Sequence, residues 1–598
     1  GRRRRGHARR HARRHARRTL NSRPMGTDES HTRRSNDPVI ILAERFEAGI
    51  RRAFPELEGP VDPAIQPSKQ AGFGDFQCNA AMALSKRVGM KPRDIAAKIV
   101  AEVDISDLAE PLTGASIAGP GFINITLSGE ALARLLAAMD TPELGVTPAA
   151  EPKHVVVDLL GVNLAKQMHV GHLRSPFIGD AIARIFERLG HRVTRQNHVG
   201  DWGLPIAMVT NRLMKLAAAG KIDLKAITLD DLDRNYKIAQ LECQRDMAGL
   251  EAVKKFGLGP KAAAELEEQV AGATEAFTEA RQTLVKLQRK EPETYAVWKR
   301  IADITMNVCL AAAERLNVAV NATHSAGESS YADELPDMVQ DLVSRGIAEE
   351  DNGALIVRLE VPHFGGLETP CLIRKSDGGY LYAMTDICAV RRRVQRMHAD
   401  MLIYAIDARQ SLHMKQVFGA SLKGGYAVNP ETGKPAAMMH AAFGAVLGED
   451  GRPFKTRSGE SVNLQALIDE AVARAAAEIR SRNAELPDAD VNAAAEVIGV
   501  AAMKYADLRN DRIKDYIFSF DRMLSFEGDT GAYLQYAYAR IKNIFRKAQE
   551  RGVGAGWDAT PLALREPAEK SLAMAILRYP ATLHAAAELG VDVRWPKQ

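Results

Sequence analysis

The sequence predicts an α/β protein in which a parallel-sheet domain in the middle of the chain is followed by a separate helical domain. Three observations carry this expectation. The segment His154-Val-Val-Val-Asp-Leu-Leu160 is a short apolar run of the kind that forms a strand buried on both faces. Leu173, Phe177, Ile178, Ala181, Ile182, Ile185 and Leu189 then recur at helical spacing, so strand, turn and helix follow one another. Finally, Leu464, Leu467, Ile468, Ala471, Val472, Ala475 and Ile479 set one apolar stripe on a helix, and helical patterning continues to the end. A run of helices after an α/β block indicates a domain of its own.

Taken in order, residues 1–36 form a basic tail with 13 arginines against Asp28 and Glu29, including the repeat His-Ala-Arg-Arg at 7–10, 11–14 and 15–18. Such a segment has nothing to bury and is expected to be disordered. With Met25 just ahead of the first ordinary sequence, residues 1–24 read as upstream or appended sequence. The alternative is a basic arm with nonspecific affinity for nucleic acid. Residues 37–150 mix short helices and strands. Residues 151–460 carry the α/β pattern, interrupted at about 216–300 by a helical insertion rich in Ala, Glu, Lys and Gln, and residues 461–598 are helical.

The net charge of +5 comes from the tail; the remainder carries about −6. A polynucleotide partner must therefore meet local basic patches on a mildly acidic body. No run of 18 apolar residues is present, which predicts no membrane span. The five cysteines, Cys78, Cys243, Cys309, Cys371 and Cys388, are odd in number and form no C-x-x-C pair. Neither a structural metal nor a disulfide framework is expected, and a reducing cytoplasm suits them.

The chemistry concentrates in the turn Gly161-Val-Asn-Leu-Ala-Lys-Gln-Met-His169-Val-Gly-His172. It lies between a strand end and a helix start, where open α/β sheets bind ligands and a helix amino terminus favours anions. Two imidazoles three apart, with Gly171 allowing close approach, form a candidate cradle for nucleotide phosphates. Standing alone, His-x-Gly-His is as well read as surface histidines or half of a metal site.

The block from Asn163 to Gly203, including R-Q-N-H-V-G-D-W-G at 195–203, resembles the nucleotide-binding signature of arginyl-tRNA synthetases, class I aminoacyl-tRNA synthetases. Gly74-Asp-Phe-Gln77, Gly119-Pro-Gly-Phe-Ile-Asn124, Gly327-Glu-Ser329, Asp377-Gly-Gly-Tyr-Leu-Tyr382, Asp386, Asp407-Ala-Arg-Gln410, Phe454-Lys-Thr-Arg457 and Phe526-Glu-Gly-Asp-Thr530 agree in order and spacing. The resemblance runs from about 38 to 548. It implies a Rossmann-type parallel-sheet catalytic domain, an α+β amino-terminal domain that touches tRNA, and an all-helical carboxyl-terminal anticodon-binding domain.

The activity so implied is that of an arginine–tRNA ligase. ATP, as its Mg2+ complex, activates arginine to arginyl-adenylate, and arginine then passes to the 3′ end of tRNA(Arg), with no tightly bound cofactor and a monomeric state. The family uses no enzyme nucleophile, so alignment and charge stabilisation must do the work. The resemblance assigns catalysis to His169, His172, Lys166 and Lys455, with Asn163, Gly171 and Arg457 also at the nucleotide. Lys455-Thr-Arg-Ser458 ends in serine where the class usually has lysine, and Lys166 is expected to supply that charge. Arginine recognition falls to Glu328, Asp386 and Tyr382 at the guanidinium and to Asn197 and Gln410 at the amino-acid end, since paired carboxylates suit a planar fork. Tyr533, Tyr536 and Tyr538 are candidates to stack on tRNA bases, although tyrosines at helical spacing equally suit a core.

Three departures stand out. Leu160-Gly-Val162 replaces the usual hydroxyl-bearing residues and strips them from the rim of the nucleotide site, Pro176 replaces a usual threonine, and Leu204-Pro-Ile206 replaces Thr-Gln-Phe. The ending Val591-Asp-Val-Arg-Trp-Pro-Lys-Gln598 matches nothing in the family, so part of the helical domain is expected to be absent. These features motivate an alternative, a catalytically impaired paralogue that binds tRNA without charging it. A small-molecule nucleotidyltransferase is a third reading, which the helical end fits poorly.

Overall fold

The computed structural model describes residues 36–68, 72–256, 260–376, 378–452, 462–525, 527–554 and 561–589. The tail through residue 35, Asp377, Lys455, Arg457, Phe526 and the ending from 591 lie outside the described residues, and so do the expectations placed on them.

The central sheet is parallel throughout its five strands, in the order Ala437–His440, Met401–Tyr404, His154–Asp158, Arg192–Val199, Ser325–Gly327. The apolar run at 154 lies in the middle, and all five residues of the strand are buried, as a strand covered on both faces must be. The helix Arg174–Arg188 carries the chain from this strand to its neighbour Arg192–Val199, burying Phe177, Ile178, Ala183 and Phe186. The α/β expectation therefore holds.

Helical sequence inserted between Arg192–Val199 and Ser325–Gly327 reaches further than composition suggested. It forms Leu204–Ala218, Leu229–Glu242, Met247–Phe256, Pro260–Gln288 and Pro292–Arg315. The continuation to Arg315 is recorded in Val297, Ile301, Thr305, Cys309 and Ala312, buried at spacings of three and four along one helix face. Between Ser325–Gly327 and Met401–Tyr404 the chain makes a small antiparallel sheet, Leu367–Arg374, Ala354–Leu359, Glu349–Asp351, and the helix Tyr382–Arg391.

The amino-terminal unit is α+β. Helices Pro38–Ala53, Ala80–Val88, Pro92–Glu102 and Gly129–Ala138 accompany an antiparallel sheet in the order Ile65–Pro67, Phe76–Cys78, Phe122–Ile125, Ile117–Ala118. Two of the family-like segments are its middle strands: Gln77 lies opposite Asn124 and donates to its Oδ1 at 2.8 Å. At the other end of the chain, the stripe read from Leu464 packs Leu464–Arg482 against Asp488–Leu508, with Leu464, Leu467, Ile468, Ala471 and Ala475 buried. Met574 and Leu577 of the helix Pro567–Leu577 enter the core of the amino-terminal unit. No helix among the described residues is long and apolar enough to cross a membrane.

The catalytic and carboxyl-terminal parts are joined through Arg174, two residues beyond His172 and 1% exposed. Its Nε donates to Asp507 at 3.1 Å, and its Nη1 donates to the carbonyls of Gly444 (2.8 Å) and Lys514 (3.2 Å). Removing one member of such a buried pair strands the other's charge. Arg174→Met is expected to destabilise the protein by about 3–5 kcal/mol, with Arg174→Met/Asp507→Leu recovering much of the loss, as read from urea unfolding midpoints.

Candidate active site

All five parallel strands deliver their carboxyl ends to one edge of the sheet, and the segments that follow carry the candidate residues. Arg393 is buried beneath this edge. Its Nη2 donates to Asp158 at 2.5 Å, its Nε donates to Gln196 on the next strand, and its guanidinium lies 5.1 Å from the Tyr404 ring on the strand opposite. One cation thus spans the ends of three strands. It also anchors the helix Tyr382–Arg391, which runs directly into it.

From the central strand the chain turns through Leu160 and Gly161, both at positive φ (78° and 62°). Left-handed backbone at a leucine is strained by about 1–3 kcal/mol, and the surroundings hold it there. The Leu160 N–H donates to Ser175 Oγ at 2.9 Å, and the Gly161 N–H to Asn197 Oδ1 at 3.1 Å. Leu160 and Val162 point into the core. The departure Leu160-Gly-Val162 therefore places apolar anchors under the turn.

The two histidines form a tight unit, with ring centroids 4.1 Å apart. His172 Nδ1 accepts the His169 N–H at 3.1 Å, and His169 Nδ1 accepts the Gly171 N–H at 3.0 Å. Burial, the neighbouring His169 and Lys166 push the His172 pKa down to about 4, and burial with the charges of Lys166 and Arg409 lowers that of His169. Both rings are therefore neutral near pH 7. With each Nδ1 occupied as an acceptor, each proton sits on Nε2, which is free to donate. Gly171 has a different task from the close ligand approach expected of it: a Cβ there would lie 2.6 Å from Cε1 of the folded-back His169 ring. Positive charge comes instead from Lys166, whose ammonium lies 4.6 Å from the Tyr236 ring.

Beyond the unassigned stretch at 453–461, the chain is stitched to this unit. The Val170 N–H donates to Val462 O, and the Leu464 N–H to Met168 O, both at 2.9 Å.

A cleft of about 830 Å³ opens along the same edge, lined by Asn163, Glu328, Tyr382 and Gln410 among others. His169 and His172 are not in its lining. The turn Asp407–Gln410 connects the two, with Gln410 in the cleft and the Arg409 charge acting on His169. Asp386 stands one helical turn beyond Tyr382, accepting a hydrogen bond from His413 Nε2 at 2.6 Å and facing His198 Nε2 at 3.4 Å. Asn197 is not in the lining of the cleft. It is fully buried, with its Oδ1 taken by Gly161 and its Nδ2 donating to Ser325 Oγ at 3.2 Å. Asn197 thus braces two backbone segments at the edge of the site, and the exposed amide in the cleft itself is that of Asn163.

Sequence reasoning missed Asp201, although it lies within the segment at 195–203. Its carboxylate accepts the Ser329 N–H at 2.8 Å and hydroxyl at 2.6 Å, while its carbonyl accepts Trp298 Nε1–H at 2.8 Å. Gly327 allows this approach, since a Cβ there would meet Asp201 Oδ2 at 2.0 Å. The clamp sets Glu328 between Gly327 and Ser329. His198, in the same segment, was also missed, as was His413, which no motif marks. Tyr533, Tyr536 and Tyr538 are 44%, 45% and 63% exposed on the helix Gly531–Glu550, which excludes a core role.

The two acids are electrostatically unlike. Burial, then Asp386 and Asp201, push the Glu328 pKa up to about 8. Burial also opposes the charge on Asp386, but the His413 bond and the charges of His198, His413 and Arg393 outweigh it and hold the carboxyl below its usual range. An acid with a raised folded pKa weakens the fold as it ionises. Glu328→Gln is expected to melt above the wild type at about pH 8.5, the gain shrinking as pH falls from about 8 and vanishing below about 4, where the glutamate is protonated in the folded protein and mostly so in the unfolded chain.

The chain matches three family models: the class I (R) tRNA synthetase catalytic domain over residues 135–520, the arginyl-tRNA synthetase N-terminal domain over 41–127, and the DALR anticodon-binding domain over 534–591. It is 40% identical to an arginine–tRNA ligase of Hahella chejuensis over 555 residues, covering 92% of this chain and 88% of the relative. It is also 40% identical to one of Chromobacterium violaceum over 553 residues, with 92% and 88% covered. Among solved structures, the arginyl-tRNA synthetase of Plasmodium falciparum superposes with a TM-score of 0.72 at 25% identity, covering 93% of this chain and 89% of the other. That of Thermus thermophilus shares the fold, with a TM-score of 0.66 at 24% identity and coverage of 92% and 88%. With an acidic cleft and a neutral histidine pair on one edge of a parallel sheet, and relatives matched over nine-tenths of its length, the chain belongs to the class I arginyl-tRNA synthetase family.

Proposed function

We propose that this protein is an arginine–tRNA ligase, activating arginine with ATP and transferring it to the 3′ end of tRNA(Arg). The observation that carries the reading is two part-buried carboxyl groups and two neutral imidazole donors gathered at the edge of the sheet where its strands end. Family membership supports the same activity, and nothing among the relatives favours an impaired paralogue.

In this reading His169 and His172 donate Nε2–H to the phosphate oxygens of ATP, which enters as its Mg2+ complex. Neutral donors stabilise the charge that develops on those oxygens, and loss of one well-placed donor raises a barrier by about 2.7–4 kcal/mol. Lys166 adds a cation, and Gly171 keeps the His169 ring in place. The roles of Lys455 and Arg457 at the nucleotide rest on the sequence resemblance. Glu328 and Asp386 receive the guanidinium of arginine with Tyr382 alongside, and Asn197 and Gln410 hold its amino-acid end. The exposure of Tyr533, Tyr536 and Tyr538 supports their role in stacking on tRNA bases. Free cysteines throughout the described residues suit a cytoplasmic protein, and a monomer is the state the resemblance implies.

Incorporation of labelled arginine into tRNA(Arg), dependent on ATP, tests the proposal; a folded protein that binds tRNA yet leaves it uncharged refutes it. Citrulline, lacking the charge, is expected to be rejected by about 10⁴ in kcat/KM, because it leaves buried carboxyl groups unpaired.

A Glu328 carboxyl that titrates near 8 must lose its proton to receive a guanidinium. The bound state holds fewer protons, so arginine affinity rises with pH, by close to tenfold per unit well below about 8. Calorimetry at pH 7 in buffers of different ionisation enthalpy is expected to show release of nearly one proton per arginine bound.

A further inference from the structure

His413 belongs to none of the motifs, yet it touches two of the residues assigned to arginine. It stands on the helix Ser411–Lys423, which begins directly after Gln410. Its Nε2 lies 2.6 Å from Asp386 Oδ2, and its ring centroid lies 4.6 Å from that of Tyr382. Gln410, Tyr382 and Asp386 thus come from two helices that meet at this imidazole.

The other oxygen of Asp386 is differently placed. His198 Nε2 faces Oδ1 at 3.4 Å, and neither ring nitrogen of His198 has a hydrogen-bond partner among the described residues. The His198 ring is held by stacking on Tyr331, with centroids 5.9 Å apart. One carboxylate oxygen is therefore bonded and the other only approached, which leaves Oδ1 with acceptor capacity on the side facing His198.

Without a donor on Oδ2, Asp386 and Glu328 would be neighbouring buried acids competing for one proton. The other groups acting on Asp386 or acted on by it do not replace His413. Arg393 is committed to Asp158 and Gln196, and Cys371 and Tyr404 are held protonated by burial. On the far side of His413, His440 Nε2 bonds to the Ile406 carbonyl and offers no alternative donor to Asp386.

We propose that His413 is the positioning residue of the arginine pocket: it holds one oxygen of Asp386 and braces the ring of Tyr382, leaving the other oxygen for the guanidinium. This rests on the reading of Glu328 and Asp386 as the arginine-binding acids. His413 does not itself touch the substrate.

The test compares His413→Phe, which keeps a ring against Tyr382 without a donor, with His413→Gln, whose amide occupies nearly the position of Nε2. Aminoacylation is measured across pH with arginine and ATP varied separately. His413→Phe is expected to raise the arginine KM at least tenfold with the ATP KM within twofold, and to move the acid limb of kcat/KM for arginine to higher pH as Asp386 loses its donor. His413→Gln is expected to restore most of both. An arginine KM within twofold of the wild type in His413→Phe overturns the proposal. So does an equal rise in both KM values, an unmoved acid limb, or a glutamine variant as impaired as the phenylalanine. Asp386→Asn separates the levels: if it too leaves the arginine KM unchanged, the assignment of the pocket fails, whereas if it raises KM and His413→Phe does not, only the role of His413 fails.

Discussion

The site is organised around a guanidinium buried where the substrate cannot reach it. Arg393 bonds Asp158 and Gln196 and lies against Tyr404, so it joins the ends of three adjacent parallel strands. A buried cation is tolerable only when fully paired, which leaves little freedom for the groups that pair it. Because Arg393 continues from the helix bearing Tyr382 and Asp386, the position of that helix over the sheet edge follows. Asn197 and His198, one and two residues beyond Gln196, are set by the same contact.

On this frame the site separates its electrostatic tasks. The histidine pair is kept neutral by burial and by nearby Lys166 and Arg409, with its Nδ1 atoms occupied by backbone donors. Hydrogen-bond donation and positive charge then come from different residues. The acids are treated in the opposite way: Asp386 is held charged through its imidazole partner, while burial and the neighbouring Asp386 and Asp201 favour the protonated form of Glu328. The pair thus avoids holding two bare carboxylates side by side. The burial that raises the Glu328 pKa also weakens the fold once that carboxyl ionises.

Much of this was legible along the chain because the evidence was local. The buried strand at 154, the strand–turn–helix unit and the stripe from Leu464 are patterns whose period reports burial directly. The likeness of the block from Asn163 to Gly203 identified the family, and with it Glu328, Tyr382 and Gln410, which line one cleft. The bracing contacts of Asn197 were not legible, because an asparagine in a recognised segment reads the same whether or not it bonds the turn beside it; its burial and its bonds to Gly161 and Ser325 appear only in the fold. The helical insertion was read short because its Ala-, Glu-, Lys- and Gln-rich composition fades near 300, although spacings of three and four continue through Val297, Ile301, Thr305, Cys309 and Ala312.

Periodicity, turn chemistry and motif order thus pointed to the parallel sheet, the histidine turn and the family, since each depends on residues within a few positions of one another. The contacts that make the site work join residues far apart in the chain: Arg393 with Asp158, Arg174 with Asp507, Asp201 with Ser329, and His413 with Asp386. No local spacing records such pairs, because their partners are chosen by which strand ends and helix faces the packed core brings together. The protonation states follow from that packing as well, for burial and neighbouring charge exist only once the chain has folded.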